Sequence, residues 1–177
     1  MSTTLKDIGI GLTAGTIGGE ALKRSAQSMW EYTSLANKSR EQAIEPRDPF
    51  IVLAQRLGRF FFDKKPTKTQ QEMFETAVVT TVTAGAGVAY VMLARRWPLG
   101  WLAGGAIFGA AFFLVEDEGM GTAMGLFGDV RKYPPEAHVR GLVAHVAFGI
   151  AAAGVARFLG VTSDKRTVAH RRRTAWA

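Results

Sequence analysis

Two uncharged runs limit what this chain can fold into. Thr76 to Ala94 and Trp97 to Val115 each span 19 residues without one charged side chain, and only Arg95 and Arg96 part them. As helix, each run would extend ~28 Å, which matches the ~30 Å hydrocarbon core of a bilayer. A pair so apolar and so tightly linked reads as a transmembrane hairpin. Elsewhere, too, apolar residues come in blocks between charged stretches, whereas a soluble domain spreads them as periodic stripes.

Charge and cysteine content remove several classes. The net charge of +7 comes without a helix-turn-helix, zinc-finger or RNA-binding fingerprint. Basic residues flanking apolar spans are routine in membrane proteins, so no nucleic-acid partner is expected. With no cysteine, disulfides and thiolate metal sites are excluded. The N-terminal apolar stretch is diluted by Gly and Thr and preceded by no basic region beyond Lys6, so it does not read as a signal peptide.

Along the chain, Ile8 to Leu22 carries Gly11, Gly15 and Gly19 at intervals of four. In water such a helix is poor, because each interior glycine costs ~1 kcal/mol against alanine. In lipid the same spacing lets a neighbouring helix approach closely. Ser25 to about Ile44 reads as a polar helical continuation with Trp30 and Tyr32 at interfacial height, broken by Glu45-Pro46-Arg47-Asp48-Pro49. The next helix, 49–62, is amphipathic: Phe50, Leu53, Leu57 and Phe60 line one side and Arg56 and Arg59 the other, a pattern suited to the headgroup boundary.

Thr67-Lys68-Thr69-Gln70 and Thr69-Gln70-Gln71-Glu72 both have capping-box form and start the next span, which carries a small-residue ridge of Ala77, Thr81, Gly85 and Ala89. The third span opens near Pro98, carries Gly105 and Gly109, and is expected to end at Glu116-Asp117-Glu118-Gly119. A Gly- and Pro-rich loop follows to Pro135, where the last helix begins; Gly160 ends it.

The expected fold is therefore all-α: a polytopic membrane protein of about four transmembrane helices, near 8–24, 72–95, 97–115 and 139–158, plus the interfacial helix 49–62. Residues 1–160 form one membrane-embedded domain, and 161–177 a basic tail expected to be disordered. Arg95-Arg96 and the tail fall on one side of a four-span arrangement and Glu116-Asp117-Glu118 on the other, which places both termini in the cytoplasm. The ten Lys and Arg between Lys23 and Lys68 run against that orientation, though so long a connection weakens the rule.

Ionisable groups at membrane depth are costly and become functional candidates. Glu20 and His145 could form an intramembrane relay. The plainer readings are an ion pair of Glu20 with Lys23 or Arg24, and a structural hydrogen bond for His145. Glu116, Asp117, Glu118 and His138 make a membrane-edge polar cluster whose donor types suit Zn²⁺ or Mn²⁺. No HExxH or other ligand spacing accompanies them, and a terminal acidic cluster is usually a solvated edge. No cofactor is otherwise expected, and no P-loop, nucleophile elbow or dinucleotide fingerprint occurs.

The chain also resembles a known group. Gly11-Leu12-Thr13-Ala14-Gly15-Thr16-Ile17-Gly18-Gly19 is followed by a hairpin with Gly104-Gly105-Ala106-Ile107-Phe108-Gly109, then Glu116-Asp117-Glu118-Gly119, Tyr133-Pro134-Pro135, His138 and Gly141 to Gly149. By spacing and residue type this is similar to the YagU-like family of bacterial inner-membrane proteins. The polar connection 25–68 departs from that pattern. The resemblance implies a four-span inner-membrane protein and supplies no activity.

Three functions compete. The first is a non-catalytic accessory, envelope or assembly component that packs against itself or a membrane partner. The second is a small proton- or ion-coupled transporter using Glu20 and His145. The third is a membrane-edge metal-dependent hydrolase at Glu116, Glu118, His138 and His145. The first is preferred, because Gly-rich ridges outnumber reactive groups.

Overall fold

The computed structural model describes residues 3–44, 49–62, 67–97 and 99–161; the expected tail 161–177 lies outside them except for Val161. Among the described residues every regular element is helical. Six α-helices follow in order: α1 (Thr3–Glu31), α2 (Leu35–Ile44), α3 (Pro49–Phe62), α4 (Lys68–Ala94), α5 (Trp101–Phe113) and α6 (Pro135–Phe158). Two of them, α4 at 27 residues and α6 at 24, are long and apolar enough to cross a membrane. The regular part of α5 has 13 residues, but it runs without a break into a π-helix over Leu114–Gly121.

Local chemistry sets the ends. Thr67 caps α4: its hydroxyl accepts from the Gln70 backbone N–H at 3.3 Å, and the Gln70 side-chain Oε1 accepts from the Thr67 N–H at 2.8 Å. Of the two expected capping boxes, this first one is used. Ser34 accepts from the Asn37 N–H at 3.3 Å and starts α2, so the continuous helix expected from Ser25 to Ile44 is instead two helices joined at 32–34. Past α6, Gly160 takes φ +89° and the Val161 N–H reaches back to the Ala156 carbonyl at 2.8 Å, a Schellman turn. The expected loop 119–135 is shorter than its composition implies. Gly119 to Gly121 belong to the π-helix, and Val130–Lys132 is a 3₁₀ turn capped by Asp129. A hydrogen bond from the Arg131 side chain, helped by the Arg131 N–H, holds the Asp129 carboxyl below the usual carboxylate range.

Helices α1, α4, α5 with its π-helical continuation, and α6 form an up-down-up-down bundle in which α1 packs on α4 and α6, and α5 packs on α6. Glycine makes both tight crossings. A Cβ on Gly11 or Gly15 of α1 would strike the backbone of Val88 or of Thr83 and Ala84 on α4, and one on Gly87 would strike Gly11 and Gly15. A Cβ on Gly105 or Gly109 of α5 would strike the carbonyl of Gly149 or His145 on α6. The Gly19 position abuts Thr83, and Gly18 abuts the Phe148 ring. The buried centre is accordingly small: Ile10, Ala14, Val91, Ala152, Ala153 and Ala156, with Tyr90 set edge-on to Phe108 at 5.4 Å.

One expected packing residue, Gly85, packs against nothing within the bundle. A Cβ on Gly85 would meet nothing within 4 Å, and Ala77, Thr81 and Ala89 are exposed as well. The face of α4 that packs carries Thr83, Ala84, Gly87 and Val91, and the ridge expected from the sequence points outward.

In α3, which packs on α4, Leu53 and Leu57 are half-buried, whereas Phe60 is 81% exposed. Arg56 donates to the carbonyls of Met124 at 2.7 Å and Gly125 at 3.1 Å, tying α3 to the segment after the π-helix; Arg59 is exposed. Phe50 lies in α3, but its side chain is outside the described residues.

Replacing Gly15 or Gly149 with Leu forces two backbones apart, and overpacking of this kind costs ~1–3 kcal/mol or more. Thermal unfolding followed by circular dichroism should show both variants destabilised by that order, with Gly85→Leu close to the parent.

Candidate acid–histidine site

Where α5 widens into its π-helix, it faces the first turns of α6. On α6, His138 and His145 are seven residues apart and so share a face. In an α-helix successive side chains diverge by about 100°, and the wider π turn lessens that angle. Glu116, Asp117 and Glu118 thereby all reach towards α6. π-bulges recur at functional sites, because the extra residue re-aims side chains that a regular helix would scatter.

His145 is the centre of the group and is 4% exposed. Its Nδ1 lies 2.9 Å from the Gly141 carbonyl, one turn back on α6. Its Nε2 lies 3.1 Å from Oε2 of Glu116, and Oδ2 of Asp117 is 3.9 Å from Nδ1. Phe112 and Phe113 flank the imidazole with ring centroids at 5.3 and 5.6 Å. Closer to the bundle end, His138 Nδ1 meets Glu118 Oε1 at 2.6 Å, and Tyr133 stands edge-on to the His138 ring.

A second charged pair closes that end. The Arg140 guanidinium is bidentate on the Glu41 carboxylate of α2, with Nη1 also 3.4 Å from the Thr33 hydroxyl, and it lies 4.8 Å over the Trp30 ring. Asn37 donates to Glu136 at 2.7 Å beside it. Two cavities meet here. One, of about 220 Å³, is lined by Glu41, Asp117, Glu118, Tyr133, His138 and Arg140 among others. The other, of about 240 Å³, is lined by Val79, Thr83, Glu116, Asp117, Arg140 and His145 among others. Asp117, Phe127 and Arg140 border both.

Five of the expected site residues, Glu116, Asp117, Glu118, His138 and His145, are thus brought together. Glu20 is not among them. Its side chain is 61% exposed and 3.7 Å from Arg24, one helical turn on, so the Glu20–His145 relay is not assembled and the ion-pair reading of Glu20 holds. The acidic run is also not a solvated helix end, because the helix continues through it and the three carboxylates are half-buried.

Glu41, Arg140 and Gly141 were missed by the sequence reading. Glu41 and Arg140 lie 99 residues apart with no local signal joining them. Gly141 matters because a Cβ there would come 2.6 Å from Phe113 and 3.2 Å from Asp117 Oδ2. Its bareness leaves room for the Asp117 carboxylate.

No protein-family model, curated protein or solved structure matches the chain. The site must be read from its own donors. Both nitrogens of His145 point at acceptors, a carbonyl and a carboxylate, and neither is turned to a hydroxyl. That is no nucleophile–base pair. A neutral imidazole that donates from Nδ1 leaves the Nε2 lone pair against the Glu116 carboxylate, so the group needs a cation, proton or metal, to be at ease.

Truncating Arg140 to Met would strand the Glu41 carboxylate in a buried position. Loss of one partner from such a pair costs ~3–5 kcal/mol. Equilibrium unfolding should show a loss of that order for Arg140→Met, largely restored in the double variant Glu41→Leu/Arg140→Met.

Proposed function

We propose that the chain is a polytopic membrane protein in which α1, α4, α5 with its π-helix, and α6 cross the bilayer. In this reading it acts as a non-catalytic accessory or assembly component through helix packing. One observation carries the proposal. Only 28% of the most apolar stretch of α4, and 39% of that of α6, is buried inside the protein, whereas the core helix of a soluble protein is mostly covered. Large apolar side chains, among them Leu12, Ile17, Leu102, Ile107 and Val143, stand outward on all the neighbouring faces. Lipid is the solvent that suits them.

The internal glycine ridges are used up within the bundle, which leaves the outward ridge of α4 as the packing surface. Ala77, Thr81 and Gly85 there border an open apolar groove with Leu12, Met73 and Thr76, a shape that suits another apolar helix, from a second copy or a membrane partner. The helix ends fit a consistent sidedness. Asp7 pairs with Arg95 at 2.7 Å at the end where the chain also reaches Val161, and the acid–histidine group is at the other. Placing the Arg95–Arg96 end in the cytoplasm puts both termini there. In this arrangement α3 lies at the headgroup boundary with Phe60 turned to lipid. A bacterial inner membrane, as in the YagU-like family, completes the proposal.

A second reading, ion-coupled transport or metal-dependent hydrolysis, is favoured by the acid–histidine group alone. It no longer includes Glu20.

Carbonate washing at high pH should leave the protein in the membrane pellet, with release only by detergent. Recovery as a detergent-free soluble particle would end the membrane reading. Because the chain lacks cysteine, single variants Ala77→Cys and Gly85→Cys should crosslink in native membranes to a second copy or a partner, and Ile107→Cys should not. Absence of product at both α4 positions would remove the packing role.

A further inference from the structure

We infer that Glu116, Asp117 and His145 form a binding site for one divalent transition-metal ion of the Zn²⁺ or Mn²⁺ type, independent of whether α4 packs against a partner. Each of the three offers one ligand atom, and those atoms all lie within 4.8 Å of one another. The His145 Nε2 and Glu116 Oε2 are 3.1 Å apart. Two atoms each ~2.1 Å from a common ion stand ~3.0–3.4 Å apart at octahedral or tetrahedral angles. The pair is thus already spaced as two ligands of one metal.

The surroundings are arranged as a metal site requires. A ligating histidine is oriented by a hydrogen bond from its other ring nitrogen, commonly to a backbone carbonyl. Here Nδ1 donates to the Gly141 carbonyl at 2.9 Å, which leaves the Nε2 lone pair turned towards the Glu116 carboxylate, with Asp117 Oδ2 3.9 Å from Nδ1. Packing of Phe112 and Phe113 against the ring holds its plane. The bare Gly141 leaves room for the Asp117 carboxylate, and the 240 Å³ cavity bordered by all three residues gives space for the ion and for water in its open positions.

Charge and donor type choose the ion. Two carboxylates are held half-buried beside a buried imidazole, and a dication neutralises both. One nitrogen donor favours transition metals over Mg²⁺ or Ca²⁺, and the two carboxylates favour Zn²⁺, Mn²⁺ or Fe²⁺ over the softer Cu⁺. The nearby Glu118–His138 and Glu41–Arg140 pairs are already matched to each other and do not compete for it.

Full-length protein in detergent, stripped with chelator, would be titrated with Zn²⁺ and with Co²⁺ as a visible-absorbing reporter, with Mg²⁺ as control. One equivalent of Zn²⁺ should bind, and Co²⁺ should give a d–d band that Zn²⁺ abolishes. Asp117→Asn and His145→Gln should each weaken Zn²⁺ binding at least about tenfold, while Glu118→Gln and His138→Gln leave it unchanged. Asp117 is at the cavity border and its replacement is isosteric, so this variant keeps the test decisive if His145→Gln fails to fold. No saturable binding would overturn the proposal. So would binding insensitive to Asp117→Asn, or binding that follows His138 instead.

Discussion

Contact of backbone with backbone at glycine is the constraint on which this fold depends. In water, burying large side chains would drive such helices together. In lipid, the solvent proposed above, that force is weak, and helices are held by dispersion across short distances. Short distances need the absence of side chains. Gly11, Gly15 and Gly87 supply it between α1 and α4, and Gly105, Gly109 and Gly149 between α5 and α6. Alanine then fills much of what remains of the centre, beside Ile10, Tyr90 and Val91.

The same closeness positions the chemistry. Gly109 rests against the His145 carbonyl, which keeps α5 and α6 close just before α5 reaches its acidic residues. A regular helix continuing from Phe113 would spread Glu116, Asp117 and Glu118 around its circumference. The π-helix keeps them on the α6 side, and the Thr122 hydroxyl, 3.3 Å from the Asp117 carbonyl, supports its widened turn. Close packing fixes where the histidines stand, and the π turn aims the carboxylates at them.

How much of this was legible follows from the range of each interaction. Helix identity, the Thr67 capping box, the Gly160 stop and the glycine spacings of α1 and α5 are local and were readable. Which face of α4 packs was not: Gly85 and Gly87 are two residues apart, nearly opposite in direction, and both belong to small-residue runs. The π-helix was hidden because Glu-Asp-Glu-Gly carries every mark of a helix end. Gathering the acids and histidines on one list was possible from composition, but pairing Glu116 with His145 and Glu118 with His138 required the register of α5 on α6. Glu41 had no sequence signal, since its partner Arg140 lies beyond three intervening helices.

The two ends of the bundle differ in how they use charge. At one end the pair of Asp7 with Arg95 ties the start of α1 to the end of α4, and Arg96 is exposed. At the other, Glu41 and Arg140 hold the polar α2 against α6, and Trp30 covers the guanidinium. A buried ion pair of this kind adds little net stability over an apolar pair, yet it is intolerant of losing either member. Its effect is to fix α2 as a cover over the acid–histidine group, because any movement of α2 away from α6 separates both charges. The Asn37–Glu136 hydrogen bond holds the same two helices together, so the cavity that Asp117 and His138 share with Glu41 and Arg140 is bordered by an α2 tied to α6 at two points.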